Sequence, residues 1–513
     1  MDKQPSKRTG SDRLVAALRR RSTAGIILAV VFMTSTTHAA SPLHSIATAL
    51  HAHSSWSTGN LSLDDLVARA RMHGVEAIFL AENHLQRYEY GLPPLRGLLR
   101  YRVEYPSILQ KGPEAFLKAV EATNGRQKEV LIIPGVEVIP HYFWTGNILR
   151  GTLTMYNAQK NLLALGLYRP EDYWQLPVVG NTAATGWGPY SLWLLAPILL
   201  VIPGLWFLLT FRRRRIQLQH FQLTERRRMV GPGLLCLGAA AALLINNYPF
   251  RDAPVSAYDA GAGLRPHQQV IDFVSSRGGA AVWSLPEAKD HQIVNVWGLR
   301  ATIRTDPYPS DLLRTDRFTA FGGIYEDTTT FTAPGQGWDQ LLLDYIHGVR
   351  KAPAWAIGEA AYHYEGQAGK RFGEVQTVLL VEKKEPSALL GALRAGRAYA
   401  LRRIQDEGLL LDRFQAASPG QPPAEAGSQL TLGAGDQPEI HAAVRSSSGR
   451  PLKIQARLIR SGTVVHAVAG ETPLTLGWKD VAQARGARHF YRLDVRGPAG
   501  HQILSNPIFV RTT

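Results

Sequence analysis

Two uncharged apolar runs, Tyr190–Phe211 and Met229–Tyr248, constrain this chain more than any other feature. About 20 such residues span a bilayer as a helix. Pro197 and Pro203 in the first run are tolerated in transmembrane helices. The Gly- and Ala-rich second run suits close helix packing in lipid. Residues 212–228, between the runs, carry seven arginines against Glu225. A short Arg-rich loop between two spans is expected in the cytoplasm.

The N-terminus repeats the pattern. Residues 1–23 hold seven Lys or Arg against Asp2 and Asp12, and the apolar stretch Ala24–Thr36 follows. Small residues at Thr37–Ser41 suit cleavage, so residues 1–40 read as a signal peptide or an N-terminal anchor. The two basic patches supply +11 of the formal charge of +16. The rest is mildly basic and lacks an aromatic-rich basic stripe, so nucleic acid is not an expected partner. The expected topology places residues 41–189 and 249 onward outside, in the periplasm of a bacterial inner membrane. Cys236, the only cysteine, falls in the second run and forms no intrachain disulfide.

Chemistry is suggested by Ala49-Leu50-His51-Ala52-His53-Ser54. Residues i and i+2 of a strand face one side, so both imidazoles are expected to converge. Neutral imidazole is the commonest protein ligand of transition metals. Two further apolar runs end alike. Glu76–Ala81 leads into Glu82-Asn83-His84, and Val130–Val136 leads into Glu137, with His141 four residues on. In parallel α/β folds, sites gather at the C-terminal ends of strands. Between these runs, Leu61–Gly74 reads as a helix. Ser62 and Asp65 form its capping box, Leu66, Val67 and Ala70 its apolar stripe, and Gly74 its stop. A second helix is expected over Pro113–Thr123.

After the apolar pair, Gln268–Val274 reads as a helix and Gly278–Trp283 as a strand. Trp338–Tyr345 is an amphipathic helix, and Ala354–Gly358 is a strand with Glu359 and His363 just past its end. Pro386–Arg397 is a last helix.

With these pieces in order the chain resembles the polymerase-and-histidinol-phosphatase (PHP) family. The carrying residues are His51–Ser54, Ala81–His84, Gly135–Glu137, His141, Gly278–Glu287, Glu359–His363 and Ala392–Ala400. The resemblance covers about residues 44–188 and 255–403. It implies an α/β fold, a distorted (βα)7 barrel, here interrupted by a transmembrane helical hairpin. It also implies a metal-dependent hydrolase, most often a phosphoesterase, with one or two divalent ions (Zn, Mn or Fe). Carried over, it makes His51, His53, His84, Glu137, His141 and His363 metal ligands. Glu137 would bridge, His51, His53 and His363 would serve one metal, and His84 with His141 a second. Glu137 and His84 would be the catalytic pair. The family pattern is broken at three ligand positions, which carry Thr58, Leu285 and Ala361, and Asn83 replaces its usual Asp. Leu and Ala offer no donor atom, and a Thr hydroxyl is a poor substitute for carboxylate.

The expected domains are 41–189 and 249–405 for the two parts of the barrel and 190–248 for the hairpin. Residues 406–513 form a small β-sandwich, read from short strands at Glu439–Arg445, Leu452–Ile459, Thr463–Val468, His489–Val495 and Pro507–Arg511. Two functions fit: an enzyme acting on a small anionic or ester substrate, or a degenerate PHP module that binds or senses at the envelope. Arg304 could steady an anionic substrate in the first, although it reads more readily as an ordinary surface arginine.

Overall fold

In the computed structural model, residues 43–218, 221–296, 299–325 and 329–513 are described. The expected signal peptide or anchor over 1–40 lies outside them. The architecture is mixed α/β. His44–Ala52 is a central strand, flanked by Val375–Val381 antiparallel and Ala77–Leu80 parallel, with Leu131–Ile133 parallel beyond. Ala77–Leu80 and Leu131–Ile133 are buried throughout, which is why they read as unbroken apolar runs. The helix Leu63–Met72 connects the first two parallel strands. Ser62 and Asp65 cap it reciprocally, and Leu63, Leu66, Val67 and Ala70 are its buried face. Pro113–Arg126 connects the next pair and runs three residues past the sequence expectation.

Pro134 has no N–H for a ladder. On its far side the chain enters a second sheet, ordered Trp355–Gly358, Ala320–Ile324, Ala280–Trp283, Leu162–Leu165, Gly135–Val138 and Glu82–Asn83. Two of the strands that end in sequence-predicted ligands, Glu82–Asn83 and Gly135–Val138, therefore lie side by side here, with Asn83 opposite Glu137. The segment Ala360–Tyr362 hydrogen-bonds along Leu50–His53 and brings the end of the Trp355–Gly358 strand to the two histidines.

The apolar runs form the helices Pro189–Leu209 and Val230–Asn247, long and apolar enough to cross a membrane. Only 6% and 11% of their most apolar windows are buried, unlike the core helix of a soluble protein. Ala196–Leu200 is a 3-10 stretch with Pro197 at its start. Small residues, Gly204, Gly233 and Ala240, are the buried points of the second half of the first helix and of the second helix. The expected Arg-rich loop is instead a hairpin of two strands, Phe211–Leu218 and Phe221–Arg228. It is joined by cross-strand pairs such as Ile216 with Leu223, while Arg212 lies opposite Arg227 and Arg213 opposite Arg226.

The C-terminal strands form two layers. Leu409–Ala417, Glu439–Ser446 and Leu474–Lys479 belong to a four-stranded sheet. Lys453–Arg460, Arg488–Arg496, Gln502–Ser505 and Ile508–Thr512 join the large sheet, because Gln502–Ser505 pairs with Ala398–Arg402. Hydrogen bonding thus runs without a break from the α/β part into the β-rich part.

Candidate metal centre

His51 and His53 converge as expected, but not by plain strand alternation. The pairing with Ala77–Leu80 shifts register between Leu50 and Ala52. His51 is the extra residue of that bulge, with φ at 71°, and His53 lies just beyond the strand. A non-glycine residue in left-handed backbone is strained, and bulges of this kind re-aim side chains near functional sites.

Both imidazoles turn the same atom toward one carboxylate. His51 Nε2 lies 3.5 Å from Glu137 Oε1, and His53 Nε2 lies 3.7 Å from Glu137 Oε2. All three donor atoms fall within 4.8 Å of one another. Neither Nε2 has a hydrogen-bond partner, although both are buried. The opposite nitrogens are held. His51 Nδ1 lies 3.1 Å from the buried Glu359 Oε2 and donates to it. His53 Nδ1 lies 3.2 Å from Ser57 Oγ, and Ser57 in turn donates to Glu82. Ser57 has one proton and gives it to Glu82, so it accepts from His53 Nδ1–H. With both rings neutral and Glu82 ionised, each imidazole thereby carries its proton on Nδ1 and its lone pair on Nε2. Metal-binding histidines show this pattern of a carboxylate behind the ring.

The supporting carboxylates are tightly held. Glu359 accepts from Ser284 Oγ at 3.0 Å and Leu285 N at 2.5 Å. Gly322 leaves space for it, since a Cβ there would stand 1.9 Å from Glu359 Oε1. Glu82 accepts from the backbone and hydroxyl of Ser54 as well as from Ser57. Burial raises Glu82 to about 7, against the opposing pull of those hydrogen bonds. Burial likewise holds His53 well below the usual histidine range. For His51 the downward effect of burial is outweighed by Glu137 and Glu359, and it is raised. Asn161 Nδ2 donates to Glu137 Oε1 at 2.7 Å and orients the third carboxylate.

Of the other expected ligands, His363 joins the site from its edge. Its ring stacks on His53 at 3.9 Å, and its Nδ1 lies 2.9 Å from Thr58 Oγ1. Burial and the neighbouring His51 lower it to about 4. His84 and His141 are not in the group of three. His84 Nε2 meets the Tyr173 carbonyl at 2.7 Å, and burial lowers this histidine to about 4. His141 Nε2 meets the Ser256 carbonyl at 3.1 Å. Each thus has a backbone partner of its own. Arg304, which reads first as an ordinary surface arginine and second as a contact for an anionic substrate, is half-exposed and ion-paired with Asp306.

The centre opens on a cleft of about 550 Å³, lined by His51, Glu137 and His363 with Lys289 and Lys370 among its cations. Leu285 and Ala361 line it too, and both have positive φ, at 45° and 44°. Three strained residues, these two and His51, therefore meet in one cleft. Sequence reasoning left Glu82, Glu359, Ser57 and Asn161 without roles. The available signal for the two glutamates was their place directly after apolar strands, the same signal that exposed the histidines.

The donor set fits a divalent metal. Two imidazoles and one carboxylate are the three-ligand set of catalytic zinc sites, which keep a further position open. The two imidazole–carboxylate separations, 3.5 Å to Oε1 and 3.7 Å to Oε2, are close to the roughly 3.4 Å ligand–ligand edge of a tetrahedron with bonds of about 2.0–2.2 Å.

No protein-family model and no curated protein sequence matches the chain. Among solved structures, it is similar to a two-domain protein of Bacteroides vulgatus described as containing a predicted PHP-like metal-dependent phosphoesterase. The identity is 10% and the TM-score 0.35, over 91% of this chain and 95% of the other. It is also similar to a Bifidobacterium adolescentis protein described as a putative metal-dependent phosphoesterase. There the identity is 14% and the TM-score 0.27, over 63% of this chain and 90% of the other.

Proposed function

We propose that this chain is a PHP-type metal-dependent hydrolase, a phosphoesterase, fixed to a membrane by its apolar helix pair. One observation carries the reading. Two buried Nε2 atoms without hydrogen-bond partners converge on Glu137, and the other nitrogen of each ring is backed by a buried carboxylate, Glu359 directly for His51 and Glu82 through Ser57 for His53. Such atoms are costly to bury unless something binds them. His51, His53 and Glu137 would hold one divalent ion. When bound, it supplies charge neutralisation and activation of water. The chain's own residues do the rest. Glu359 and the Ser57–Glu82 pair keep both rings oriented, and Asn161 holds Glu137 in place. Lys289 and Lys370 bring positive charge to the cleft, where an anionic phosphoester would bind.

On this reading the two α/β sheets are parts of one distorted barrel, 41–189 and 249–405, with 406–513 a sandwich packed on it. The orientation argued from charge puts these parts in the periplasm and the Arg-rich hairpin 212–228 in the cytoplasm of a bacterial inner membrane.

A second reading, a PHP module that binds without turnover, is favoured by Leu285 and Ala361, which put no donor atoms into the cleft. The two are separated by metal analysis of the purified full chain, with a phosphoesterase and esterase screen under added Mn²⁺ or Zn²⁺. Bound metal and turnover, both lost in His51→Ala, support the enzyme. Bound metal with no turnover of any ester supports the binding module. Absence of both, with His51→Ala indistinguishable from the parent, overturns the metal centre itself.

A further inference from the structure

Next to the metal-centre cleft lies a second cavity, of about 660 Å³, within the size range of small-molecule sites. Its walls are the hairpin of Arg87–Gly91 and Arg100–Glu104 on one side and the sheet containing Asp290–Val296 and Leu299–Thr305 on the other. Tyr88, Leu98, Leu99, Trp144, Val294 and Ile303 are among its lining. Both spaces share Gln86, Tyr105, Gln159, Asp290 and Gln292, so the apolar cavity opens into the polar cleft that holds His51 and Glu137.

Away from the shared end the lining is mainly apolar, Arg100 is ion-paired with Glu89, and two wall groups spend their hydrogen bonds internally. Tyr88 Oη donates to the Ala158 carbonyl at 3.3 Å, and Trp144 Nε1 donates to the Glu89 carbonyl at 2.8 Å. An extended peptide would need partners for its own backbone there; a hydrocarbon chain needs none.

The cavity also has a fixed relation to the apolar helices. The loop that carries Leu98 and Leu99 hydrogen-bonds to Asn246, one residue from the end of the second helix. Gly97 N and Leu98 N both donate to Asn246 Oδ1, at 2.7 and 3.2 Å. Gly97 meets the helix so closely that a Cβ would stand 2.2 Å from the Asn246 carbonyl oxygen. Asn247 then ties the helix to its partner through the Leu194 carbonyl, at 2.8 Å. Leu92, Leu98 and Leu99 remain about half exposed beside this helix end.

We propose that this cavity holds the hydrocarbon tail of a membrane lipid whose phosphoester headgroup lies at the His51–His53–Glu137 centre. The assignment of the headgroup rests on the hydrolase reading above. The assignment of the tail rests on the cavity, its apolar walls and its place at the end of a helix long and apolar enough to cross a membrane. The enzyme then acts on lipid drawn from the bilayer in which it is anchored.

The test uses the full chain in amphipol, with methyl-, butyl- and octylphosphonate titrated by calorimetry. It is run in EDTA and again with Mn²⁺, with hydrolysis of matched alkyl phosphate esters followed in parallel. Burial of each methylene strengthens binding by about fourfold until the cavity is filled. Octylphosphonate should bind far more tightly than methylphosphonate, in EDTA as well as with Mn²⁺. Val294→Glu and Leu99→Glu, on opposite walls, should each weaken octylphosphonate at least tenfold and leave methylphosphonate unchanged. Equal binding across the series, or chain-length dependence that survives both substitutions, overturns the tail site. Short esters hydrolysed with no chain-length effect would leave the hydrolase standing and remove the lipid. Chain-length-dependent binding sensitive to both substitutions, with no metal bound and no ester turned over, would keep the tail site and remove the hydrolase.

Discussion

His51 Nδ1 donates to Glu359 Oε2 across 3.1 Å, between two side chains that are almost fully buried. The contact decides which nitrogen of His51 carries the lone pair, and so whether His51 and His53 present matched donors to Glu137. Outer carboxylates of this kind typically contribute 10–100-fold to metal affinity. Glu359→Gln should therefore weaken Zn²⁺ binding by about that factor, read by chelator competition, while the far-UV spectrum is unchanged. Unaltered affinity would show that Glu359 does not orient the ring.

Gly322 tests the same relationship from behind. A Cβ at this position stands 1.9 Å from Glu359 Oε1, so Gly322→Ala must move the carboxylate. Its effect on Zn²⁺ affinity should match Glu359→Gln in direction. The double variant should be little worse than the stronger single one, since both act through one contact and such pairs are not additive. Full additivity would mean that Gly322→Ala acts elsewhere.

The strand-end pattern carried much of this site in the sequence. Apolar runs closing on His or Glu placed His51, His53 and Glu137 together, because backbone geometry alone forces strand ends into proximity. Side-chain direction was less legible. His84 and His141 also follow strands, yet each rotates to a backbone carbonyl, a choice set by local packing. The bulge at His51 was hidden because nothing in Leu50-His51-Ala52 signals left-handed backbone. The hairpin at 212–228 was missed for a related reason. A run of arginines reads as solvated loop, whereas cross-strand pairs such as Ile216 with Leu223 are visible only once register is known. Helix ends fared best where a local device exists, as at Ser62 and Asp65.

Glu82 makes a pH prediction. In the metal-free fold it titrates at about 7, against 4.5 for an ordinary glutamate. Between these values the native state holds a proton that the unfolded chain has released. Its contribution is therefore fully present below about 4.5 and is lost as pH rises through 7, by up to about 3 kcal/mol. Glu82→Gln removes that slope. Thermal unfolding in EDTA should show the variant gaining on the parent protein as pH rises from 4.5 to 7.5. A difference independent of pH would show that Glu82 does not change its protonation in this range.

Arg492 and Asp339 join the β-rich part to the helix Gly337–Ile346 through a bidentate pair at 2.6 and 2.7 Å, with both side chains buried. Removing one partner strands a charge, which commonly lowers stability by about 3–5 kcal/mol. Arg492→Met should show such a loss in thermal unfolding of the full chain. Asp339→Leu added to it should recover much of the loss, because the pair is then replaced rather than broken. A double variant as unstable as the single would mean the guanidinium matters through its packing on Trp338, 4.6 Å away, and not through its charge.

Ala361 offers a test by gain. It lines the cleft at a φ of 44°, a conformation that Asp adopts more readily than most residues. His363, two residues on, already stacks against His53. The backbone at this position is thus already suited to a carboxylate facing the cleft. Ala361→Asp should raise the metal bound per chain, measured by elemental analysis after equilibration with Mn²⁺. It should also raise phosphoester turnover if the number of donors is what limits the chemistry. The change adds a carboxylate beside the Lys370 ammonium, which contacts the Ala361 carbonyl at 3.1 Å. An ion pair formed there instead would leave metal content unchanged and lower the affinity for anionic ligands. Metal content therefore distinguishes a restored ligand from a new surface contact.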